Sequence, residues 1–391
     1  MKILHVLSNL DDRYGGPSNC VPSLIKAVSP LGIVGEIFYI RTLDKEYNTL
    51  VEKYNIKATG FKGYLIGEGV YLSPQFYFEI RRRMCEFDIV HLHGMWRFPA
   101  AAAAHVASAK RKPIICSPHS SLMRESLKRS RGKKAMARFL FADRALKRSK
   151  FIHVTSEEEE GDVHSYSSAL RCRNIPNGVV LPEYKVNQGF AHDDAIVIGN
   201  KMIKAKGNRN VAFYSRIHPR KGLHHLLSAW EKLSPRSLGA KLLIAGYVED
   251  QSYFDKLKIR FRKLFESEAV VALGHLSGAD KSNLFAIADL FVFPTDFENF
   301  GLGIAEALYA CKPIITTNGT PWAEIRKQGA GWIIMPGSVD ELGRALEEAL
   351  DLPSAKLQDM GRRGYAIADR YRWENLAKQY ACMYSDAVRL L

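Results

Sequence analysis

Short apolar segments alternate along the chain with longer stretches in which apolar residues recur at helical spacing. The apolar segments are rich in Val, Ile, Leu and Phe and contain few polar residues, which is typical of parallel strands buried on both faces. These segments are 3–7, 36–40, 88–93, 113–118, 151–155, 173–176, 210–216, 241–246, 270–274, 290–294, 313–317 and 332–335. Strands that alternate with helices predict an α/β fold with doubly wound parallel sheets.

One polar stretch interrupts this alternation and divides the chain. Residues 183–208 are mostly polar, with a single short apolar group around Ile196. The pattern predicts an N-terminal Rossmann-like domain over 1–182, a linker over 183–208 and a second Rossmann-like domain over 209–370. In 371–391, apolar residues return at helical spacing, which predicts a C-terminal helix. We expect this helix to pack back toward the N-terminal domain.

Composition narrows the class of protein. The chain has 391 residues, 47% of them hydrophobic and 25% charged, as in globular proteins with packed cores. The six cysteines contain no C-x-x-C pair, which favours free thiols in a reducing compartment. No signal-peptide pattern and no apolar stretch of about 18 residues is present, so we expect a cytoplasmic protein, at most peripheral on the inner face of the plasma membrane.

The net charge of +15 favours an anionic partner. Residues 122–150 concentrate this charge, with eleven Lys and Arg among apolar residues such as Leu127 and Phe139. The stretch is interpreted either as a solvated, salt-bridged helix pair or as a basic amphipathic surface for an anionic membrane. Nucleic acid is not expected as a partner, because aromatic residues are sparse among these charges.

The segment DFENFGLGIAEAL at 296–308 contains two glutamates eight residues apart. Gly301 and Gly303 predict that Glu298 lies in a turn and that only Glu306 lies on the following helix. Unpaired amides at that helix start favour an anion or hydroxyl ligand. Two separated carboxylates beside free amides suit a polyhydroxylated ligand, and the alternative is a pair of ordinary surface glutamates.

The segment NVAFYSRIHPRKG at 210–222 places three cations at the carboxyl end of a predicted strand and in the residues after it. Arg216 ends the strand, and Arg220 and Lys221 enter the next helix. Cations at the carboxyl end of a parallel strand, beside a helix start, favour phosphate. A solvent-facing basic turn is the alternative.

The N-terminal half offers weaker signals. RYGGPS at 13–18 allows close approach of the backbone to a ligand but is not G-x-G-x-x-G. His91, His93 and His119 lie at predicted strand ends, and without an evident third ligand we expect no metal and an interior role for His91. TSEEEE at 155–160 has capping-box spacing from Ser156 to Glu159 and predicts a helix start.

Taken together, the motifs resemble the retaining glycosyltransferases of family 4, whose GT-B fold has two Rossmann-like domains that face a central cleft. The resemblance covers nearly the whole chain. It rests on the N-terminal GG loop, HLHGMW at 91–96, SPHSS at 117–121, TSEEEE at 155–160, IPNG at 175–178, SRIHPRKG at 215–222, IAG at 244–246 and Glu-x7-Glu at 298–306.

The resemblance implies roles for individual residues. Glu306 would bind the ribose of a nucleotide-sugar donor and Glu298 the hydroxyls of the transferred sugar, while His119 would approach that sugar. Arg216 and Lys221 would neutralise the diphosphate. The other donor-binding residues implied are Gly16, Gly246, Asn299, Phe300, Gly301 and Leu302.

Two positions depart from the family pattern, and the acceptor side is less defined. Ser120 stands where glycine is usual, and Gly303 stands where proline is common. Acceptor pockets in this fold lie in the N-terminal half. The candidates there are Arg13, His93, Trp96, Arg97 and Arg124.

The activity implied is transfer of a hexose from UDP-glucose or a related UDP-hexose to a saccharide or lipid-linked acceptor in cell-surface polysaccharide biosynthesis. The resemblance implies retention of anomeric configuration. No D-x-D motif is present, so no metal or other cofactor is expected, and Arg216 and Lys221 would take the place of a divalent ion. The alternatives are a nucleotide-sugar 2-epimerase and a catalytically degenerate membrane-surface binding protein.

Overall fold

A computed structural model describes residues 1–11, 16–41, 48–67, 70–123, 126–127, 131–179, 195–204, 209–233 and 239–390. The chain divides into two compact units. The first unit contains residues 1–178 and 373–391, and the second contains residues 179–372.

The first unit is built on a seven-stranded parallel sheet. Its strands are β1 (Lys2–Leu7), β2 (Val34–Arg41), β3 (Ala58–Lys62), β6 (Ile89–His93), β7 (Ile114–Ser117), β8 (Ser149–Val154) and β9 (Cys172–Asn174). A separate antiparallel pair consists of β4 (Tyr64–Gly67) and β5 (Val70–Leu72). The seven strands of the main sheet lie in the spatial order β3-β2-β1-β6-β7-β8-β9.

Helices connect these strands. They are α1 (Pro17–Val28), α2 (Thr49–Lys53), α3 (Pro74–Arg83), α4 (Phe98–Ala109), α5 (Arg131–Ala137), α6 (Asp143–Arg148), α7 (Glu157–Tyr166) and the C-terminal α16 (Trp373–Arg389). The central strands are buried on both faces because helices cover them, and β1 and β6 are almost wholly buried. The C-terminal helix belongs to this unit and packs on α1.

The second unit has a six-stranded parallel sheet. Its strands are β12 (Arg209–Tyr214), β13 (Ala240–Ala245), β14 (Val270–Gly274), β15 (Leu290–Phe293), β16 (Ile314–Thr317) and β17 (Gly331–Ile334), in the order β14-β13-β12-β15-β16-β17. An antiparallel hairpin, β10 (Ala195–Ile198) and β11 (Lys201–Lys204), precedes them.

The helices of the second unit alternate with these strands. They are α8 (Leu223–Leu233), α9 (Gln251–Arg260), α10 (Arg262–Glu266), α11 (Gly278–Ile287), α12 (Leu302–Tyr309), α13 (Glu324–Lys327), α14 (Val339–Asp351) and α15 (Ser354–Ala368). Several of these helices have a side-chain N-cap. At the start of α14, for example, the Ser338 hydroxyl accepts a hydrogen bond from the amide of Glu341.

The structure contains every strand that the apolar pattern predicted, and its two parallel sheets confirm the doubly wound α/β class. It differs from the prediction at the linker. Residues 195–204, expected within the 183–208 linker, form the β10–β11 hairpin instead, with Ile198 and Ile203 in the core. Each strand of this hairpin has only four residues, and the residues around it are polar. The apolar pattern of so short a segment therefore did not predict the strands.

Both sheets reverse their strand order once. The reversal lies between β1 and β6 in the first unit and between β12 and β15 in the second. Connections on either side of such a point run to opposite faces of the sheet, and this leaves a crevice at the carboxyl ends of the two central strands. Each unit therefore has one place where its fold favours a ligand. No helix within the described residues has both the length and the apolar composition to cross a bilayer.

Candidate functional site

The cationic loop and the first glutamate of the second unit follow the two strands at its strand-order reversal. Arg216 comes shortly after β12, and Lys221 lies in a short 3-10 turn (Pro219–Lys221) ahead of α8 rather than inside a helix. Glu298 follows β15 in a loop, as the glycines after it predicted, and only Glu306 lies on α12. Because β12 and β15 are parallel neighbours, both loops leave the same edge of the sheet.

Two glycines allow the loops to lie this close. Gly222 has a φ of 71°, and a Cβ placed there would lie 1.9 Å from the carbonyl oxygen of Pro294. At Gly246, with a φ of 149°, a Cβ would lie 1.8 Å from the carbonyl oxygen of Ser215. A side chain at either position would force the backbone segments apart. Gly246, predicted to bind the donor, thus has a packing role beside Arg216.

Lys221 and Glu298 form an ion pair at this edge. Their side chains are 14% and 22% exposed, so both are accessible yet mostly shielded from water. The Glu298 amide donates to the carbonyl oxygen of Gly319 at 2.8 Å, which fixes the backbone of the loop. A cation and a carboxylate are therefore held side by side, where each can meet a different part of one ligand.

The segment from Asn299 to Leu302 leads into α12. Asn299 is half-buried, and Phe300 is buried against Trp322, whose indole N–H donates to the Phe300 carbonyl oxygen. Gly301 caps the helix in the left-handed region, with a φ of 79°. Its carbonyl accepts the first helical hydrogen bonds, from Ile304 and Ala305. The amides that come before Ile304 at the helix start have no carbonyl partner within the helix, as is general for the first amides of an α-helix.

Glu306 projects from α12 toward a lysine on the neighbouring helix α11. Lys281 Nζ donates to Glu306 Oε1 at 2.7 Å. Burial alone would lower the pKa of Lys281, but the charge of Glu306 and the contact with Tyr214 outweigh it, and the pKa is raised. The Lys281 ammonium also lies 5.3 Å from the centre of the Tyr214 ring. Glu306 is therefore held as one member of a charged pair.

Arg216 also has a partner that the sequence motif does not include. Its Nη1 donates to Glu249 Oε2 at 2.7 Å, and the two side chains are 39% and 36% exposed. A guanidinium has five N–H donors, so one bond to Glu249 fixes the orientation of Arg216 without using its full capacity. This arrangement leaves the group able to meet a phosphate.

In the first unit, a histidine cluster lies at the strand-order reversal. His5 on β1 lies beside His91 and His93 on β6, and the three offer nitrogens within 4.8 Å of one another. No third partner for His91 and His93 was evident from the sequence motifs, and His5 is that partner. His93 hydrogen bonds to His5 and His119, and His91 hydrogen bonds to Tyr384 and to a serine. A metal ion at this point would have to replace several of these hydrogen bonds.

These contacts bear on one predicted site residue. His93, a candidate for direct acceptor contact, is 7% exposed, and both of its ring nitrogens hydrogen bond to other histidines. Its geometry fits support of His119 rather than direct contact with an acceptor. His91 is interior, as expected, with no exposed surface.

His119 and Ser120 have an unusual backbone. Their φ angles are 49° and 65°, in the left-handed region that favours glycine. The Ser120 amide donates to Glu159 Oε1 at 2.8 Å, and the Thr155 amide donates to the other oxygen of that carboxylate. The buried Glu159 therefore holds the loop that carries His119. Ser156 caps α7 through the amide of Glu159, as the capping-box spacing predicted.

Burial keeps the three histidines of this cluster neutral, together with His119 and with His153, whose ring lies 5.8 Å from that of His91 between centroids. It lowers the pKa of His5 and of His119 to about 3 and that of His153 to about 4. Burial, together with the neighbouring histidines, also holds the pKa of His91 and His93 well below the usual value. At neutral pH each ring therefore has one N–H donor and one acceptor nitrogen.

The remaining predicted residues lie on the surface of the first unit or outside the described residues. Gly16 is exposed and begins α1, with a φ of 52°. Trp96 is half-buried and donates to the Ser121 carbonyl oxygen at 3.2 Å, and Arg97 is exposed at the start of α4. Arg13 and Arg124 lie outside the described residues.

Sequence comparison matches each half of the chain to a known protein family. Residues 14–182 match the family described as Glycosyltransferase Family 4, and residues 198–367 match that described as Glycosyl transferases group 1. Together the matches span most of the chain. The chain belongs to glycosyltransferase family 4.

Individual relatives agree with this family. An uncharacterized glycosyltransferase of Methanocaldococcus jannaschii is 26% identical over 337 residues, which cover 78% of this chain and 77% of the relative. The GDP-mannose:cellobiosyl-diphosphopolyprenol alpha-mannosyltransferase of Komagataeibacter xylinus is 23% identical over 99% of this chain and 94% of its own. Anabaena HepE, solved with UDP and glucose, has a TM-score of 0.76 at 20% identity, with 99% of this chain and 100% of HepE covered. This last similarity shows the GT-B fold.

The geometry of this family 4 glycosyltransferase adds residues that its sequence motifs did not identify. Lys281 and Glu249 hold Glu306 and Arg216, and His5 completes the histidine cluster. The alternation of β1 gives a weak signal for His5, a polar residue within an apolar strand. Lys281 and Glu249 had no such signal, since charged residues on helices and in loops are common.

The basic stretch 122–150 of the glycosyltransferase is only partly described. A π-helical turn (Arg138–Ala142) joins α5 to α6. On this region Met136, Phe139 and Leu140 are 61%, 82% and 56% exposed, which is unusual for such large apolar side chains. Arg138 forms an ion pair with Asp143 at 3.6 Å. The stretch thus combines exposed apolar surface with cations.

Proposed function

We propose that this protein transfers a hexose from a UDP-hexose, such as UDP-glucose, to a saccharide or lipid-linked acceptor, with retention of anomeric configuration. The Lys221–Glu298 ion pair beside the strand-order reversal of the second unit is the observation that carries the proposal. The pair provides one group for a phosphate and one for sugar hydroxyls. Glu306, on the next helix, provides a carboxylate for the ribose.

The proposed chemistry follows from charge. The bond to be broken joins the anomeric carbon to a phosphate oxygen, and the departing diphosphate gains negative charge. Arg216 and Lys221, with the first amides of α12, stabilise that charge, and fixed groups of this kind usually make the largest contribution to catalysis. His119 meets the transferred sugar. The cations do the work of a divalent ion, so the reaction proceeds without a metal or other cofactor.

Two relatives bear on the donor. The structure of Anabaena HepE with UDP and glucose supports a UDP-hexose. The name of the Komagataeibacter enzyme gives GDP-mannose as its donor and a diphosphopolyprenol-linked sugar as its acceptor. The second name supports a lipid-linked acceptor and makes GDP-mannose the main competing donor.

A donor panel tests the proposal. Purified protein is incubated with UDP-glucose, UDP-galactose, GDP-mannose and ADP-glucose, with and without saccharide acceptors, and release of the nucleoside diphosphate is measured. We expect a UDP-hexose to be turned over fastest. Turnover of GDP-mannose alone would contradict the UDP assignment and leave the transferase reaction standing.

Variants test the site assignment. Arg216→Ala and Glu298→Ala are each expected to lower donor turnover by about 10²-fold, the usual effect of removing one stabilising group. Arg262→Ala is the matched control, because Arg262 is an exposed cation in an ion pair with Glu266 on α10. Wild-type turnover in both site variants would show that the site is wrongly placed.

The stereochemical and metal proposals have their own measurements. Proton NMR of the first product formed distinguishes an axial from an equatorial anomeric bond, and we expect the configuration of the donor. Turnover is expected to be unchanged by EDTA. Inversion, or loss of activity restored by Mg²⁺ or Mn²⁺, would contradict these two parts of the proposal separately.

The same assays separate the alternatives. A 2-epimerase would convert the donor sugar without acceptor, which sugar analysis of the recovered donor detects. A degenerate surface-binding protein would bind no nucleotide in calorimetry. Binding of the donor with acceptor-dependent nucleotide release excludes both.

We also propose that the surface carrying Met136, Phe139 and Leu140 docks on an anionic membrane, at the inner face of the plasma membrane. Exposed apolar side chains among cations suit the interface of such a bilayer. Flotation with phosphatidylglycerol vesicles at low salt tests this. Phe139→Ser is expected to reduce flotation, whereas Ile259→Ser, which alters an apolar residue 77% exposed on α9, is not. Absence of wild-type flotation would refute the membrane proposal.

A further inference from the structure

Two hydrogen-bonded chains of side chains run through the carboxyl ends of the central strands of the first unit. One chain links His91 and His153 through Ser117, and the other links His5, His93 and His119. The two chains lie side by side, with the rings of His91 and His93 4.2 Å apart between centroids. In such chains, each neutral ring donates from one nitrogen and accepts at the other.

The direction of the first chain follows from its end. His153 Nε2 lies 2.9 Å from the backbone carbonyl oxygen of Ile175, which can only accept, so Nε2 carries the proton. The Nδ1 of His153 must then accept from Ser117, at 2.7 Å. Ser117 accepts in turn from His91 Nε2, at 2.7 Å, and His91 Nδ1 accepts from the Tyr384 hydroxyl, at 3.0 Å. Every polar atom along this chain has a partner.

The second chain has two possible directions. His5 Nδ1 lies 3.0 Å from His93 Nε2, and His93 Nδ1 lies 3.1 Å from His119 Nε2. Either the protons point from His5 toward His119, or they point from His119 toward His5. Both directions satisfy the two internal hydrogen bonds, and they differ only at the two ends.

The buried end distinguishes the directions. His5 is 1% exposed, and its Nε2 has no hydrogen-bond partner among the described residues. If the protons pointed inward, this nitrogen would be a buried N–H without an acceptor, and such orphaned donors are rare in folded proteins. If they point outward, the proton of His5 lies on Nδ1 and is used in the bond to His93. The outward direction is therefore favoured.

The outward direction fixes the protonation of the last ring. His93 donates from Nδ1, so His119 accepts at Nε2 and carries its proton on Nδ1. His119 is half-buried, and no group among the described residues bonds to its Nδ1. This N–H remains for a ligand. The buried Glu159 accepts a hydrogen bond from the Ser120 amide and so fixes the backbone next to His119.

We infer that His5 and His93 are positioning residues that hold His119 in the Nδ1–H tautomer, so that His119 donates a hydrogen bond to a hydroxyl or phosphate oxygen of the sugar donor. The inference rests on the proposed function for the contact between His119 and the donor. It adds the direction of the bond. Where the accepting atom is a phosphate oxygen, a neutral donor of this kind strengthens its bond as negative charge develops on that oxygen, without burying a charge beside the sugar.

The tautomer can be measured without any assay of activity. Full-length protein labelled with ¹⁵N in its histidines is studied at pH 7 by long-range ¹H–¹⁵N correlation, which separates protonated from bare ring nitrogens. The His119 signals are assigned from the spectrum of His119→Gln. We expect a protonated Nδ1 and a bare Nε2 at His119. A bare Nδ1 with a protonated Nε2 would overturn the inference, whatever the activity of the enzyme.

Two isosteric variants then test the role of His93. The side-chain amide of His93→Asn can occupy the position of Nδ1 and still donate to His119. In His93→Gln, the amide reaches the position of Nε2 instead and loses that contact. We expect kcat of His93→Gln to be about ten-fold below that of His93→Asn, with similar KM, for the loss of one transition-state hydrogen bond.

The outcomes separate this inference from the proposed function. Equal kcat values for the two His93 variants, in protein whose spectra show a folded chain, would overturn the positioning role. An Nδ1–H tautomer in a protein whose His119→Gln variant keeps full activity would overturn the bond to the donor. If no donor is turned over by the wild type, the proposed function fails, and the tautomer measurement still decides the direction of the chain.

Discussion

Glu306 accepts a hydrogen bond from Lys281 at 2.7 Å, and the two side chains are only 12% and 24% exposed. The pair joins α12 to α11, and the Lys281 ammonium also lies against the ring of Tyr214. A carboxylate proposed to hold a ribose is thus already held by a lysine. One of its two oxygens makes this bond, so the other can accept from a ligand hydroxyl.

Removal of Lys281 should destabilise the second unit. Lys281→Met leaves the Glu306 carboxylate without its ion-pair partner, and we expect the free energy of unfolding to fall by about 1–3 kcal/mol, less than for a fully buried pair. Urea denaturation measures the change. The double variant Lys281→Met/Glu306→Gln should recover part of the loss. Additive effects of the two substitutions would contradict the coupling.

Lys221 should affect turnover more than affinity. If it stabilises charge that develops on the leaving diphosphate, Lys221→Ala lowers kcat by about 10²–10³-fold. Steady-state kinetics with the best donor measures this change. Lys232→Ala is the control, because Lys232 is a mostly exposed cation that pairs with Asp340. A rise in KM at unchanged kcat would show that Lys221 only binds the ground state.

Acid should destabilise the first unit through its histidines. In the unfolded chain each histidine takes up a proton as the pH falls below about 6.5. Folded His5 and His153 stay neutral down to pKa values of about 3 and about 4. The unfolded state therefore binds more protons in this window. The stability that these neutral histidines contribute is fully present above about pH 6.5. Below that pH, each of them lowers the free energy of unfolding by up to about 1.4 kcal/mol per pH unit.

The variant His5→Asn should reduce this pH dependence by about one proton, because an amide does not titrate in this range. Urea denaturation between pH 7 and pH 5 gives the slope. His105→Asn, which changes an exposed histidine on α4, is the control and should leave the slope as it is. An unchanged slope in His5→Asn would show that His5 is protonated in the folded protein.

Ser120 offers a test of backbone strain. Its φ of 65° costs a residue with a side chain about 1–2 kcal/mol, and glycine avoids that cost but loses more entropy on folding. Ser120→Gly should therefore stabilise the protein by about 0.5–1 kcal/mol, whereas Ser120→Val should destabilise it. Thermal unfolding ranks the three proteins. A valine variant as stable as the wild type would mean that this backbone relaxes at little cost.

The fold could be predicted from sequence because its strands are central and covered on both faces. Strands such as β13 and β15 contain short apolar runs, as is typical of parallel strands buried on both faces. The missed strands lie at the margins. β3 is an edge strand with one buried residue, Phe61, and the β10–β11 pair places Val197 and Met202 largely in solvent. A short strand with exposed apolar residues has no distinct periodicity.

The site could be predicted only in part, because motifs record chain neighbours and not spatial ones. Local motifs predicted four charged site residues, Arg216, Lys221, Glu298 and Glu306. All four lie in the second unit, and Lys221 and Glu298 form an ion pair there. Their partners come from other elements, as Glu249 and Lys281 do. The sequence offers His93 as a candidate for acceptor contact, but it does not reveal that both ring nitrogens are occupied by histidines from β1 and from the loop after β7.

The first unit is assembled from two distant parts of the chain, and this has a consequence for biosynthesis. The hydroxyl of Tyr384 completes the hydrogen bonds of His91, which lies 293 residues earlier in the chain. The second unit is one continuous segment. On the ribosome, the part translated later can therefore mature first, while the part translated first waits for its final helix. Until that helix is made, His91 lacks the hydroxyl of Tyr384 as a hydrogen-bond partner, and the first unit lacks one of its packed helices.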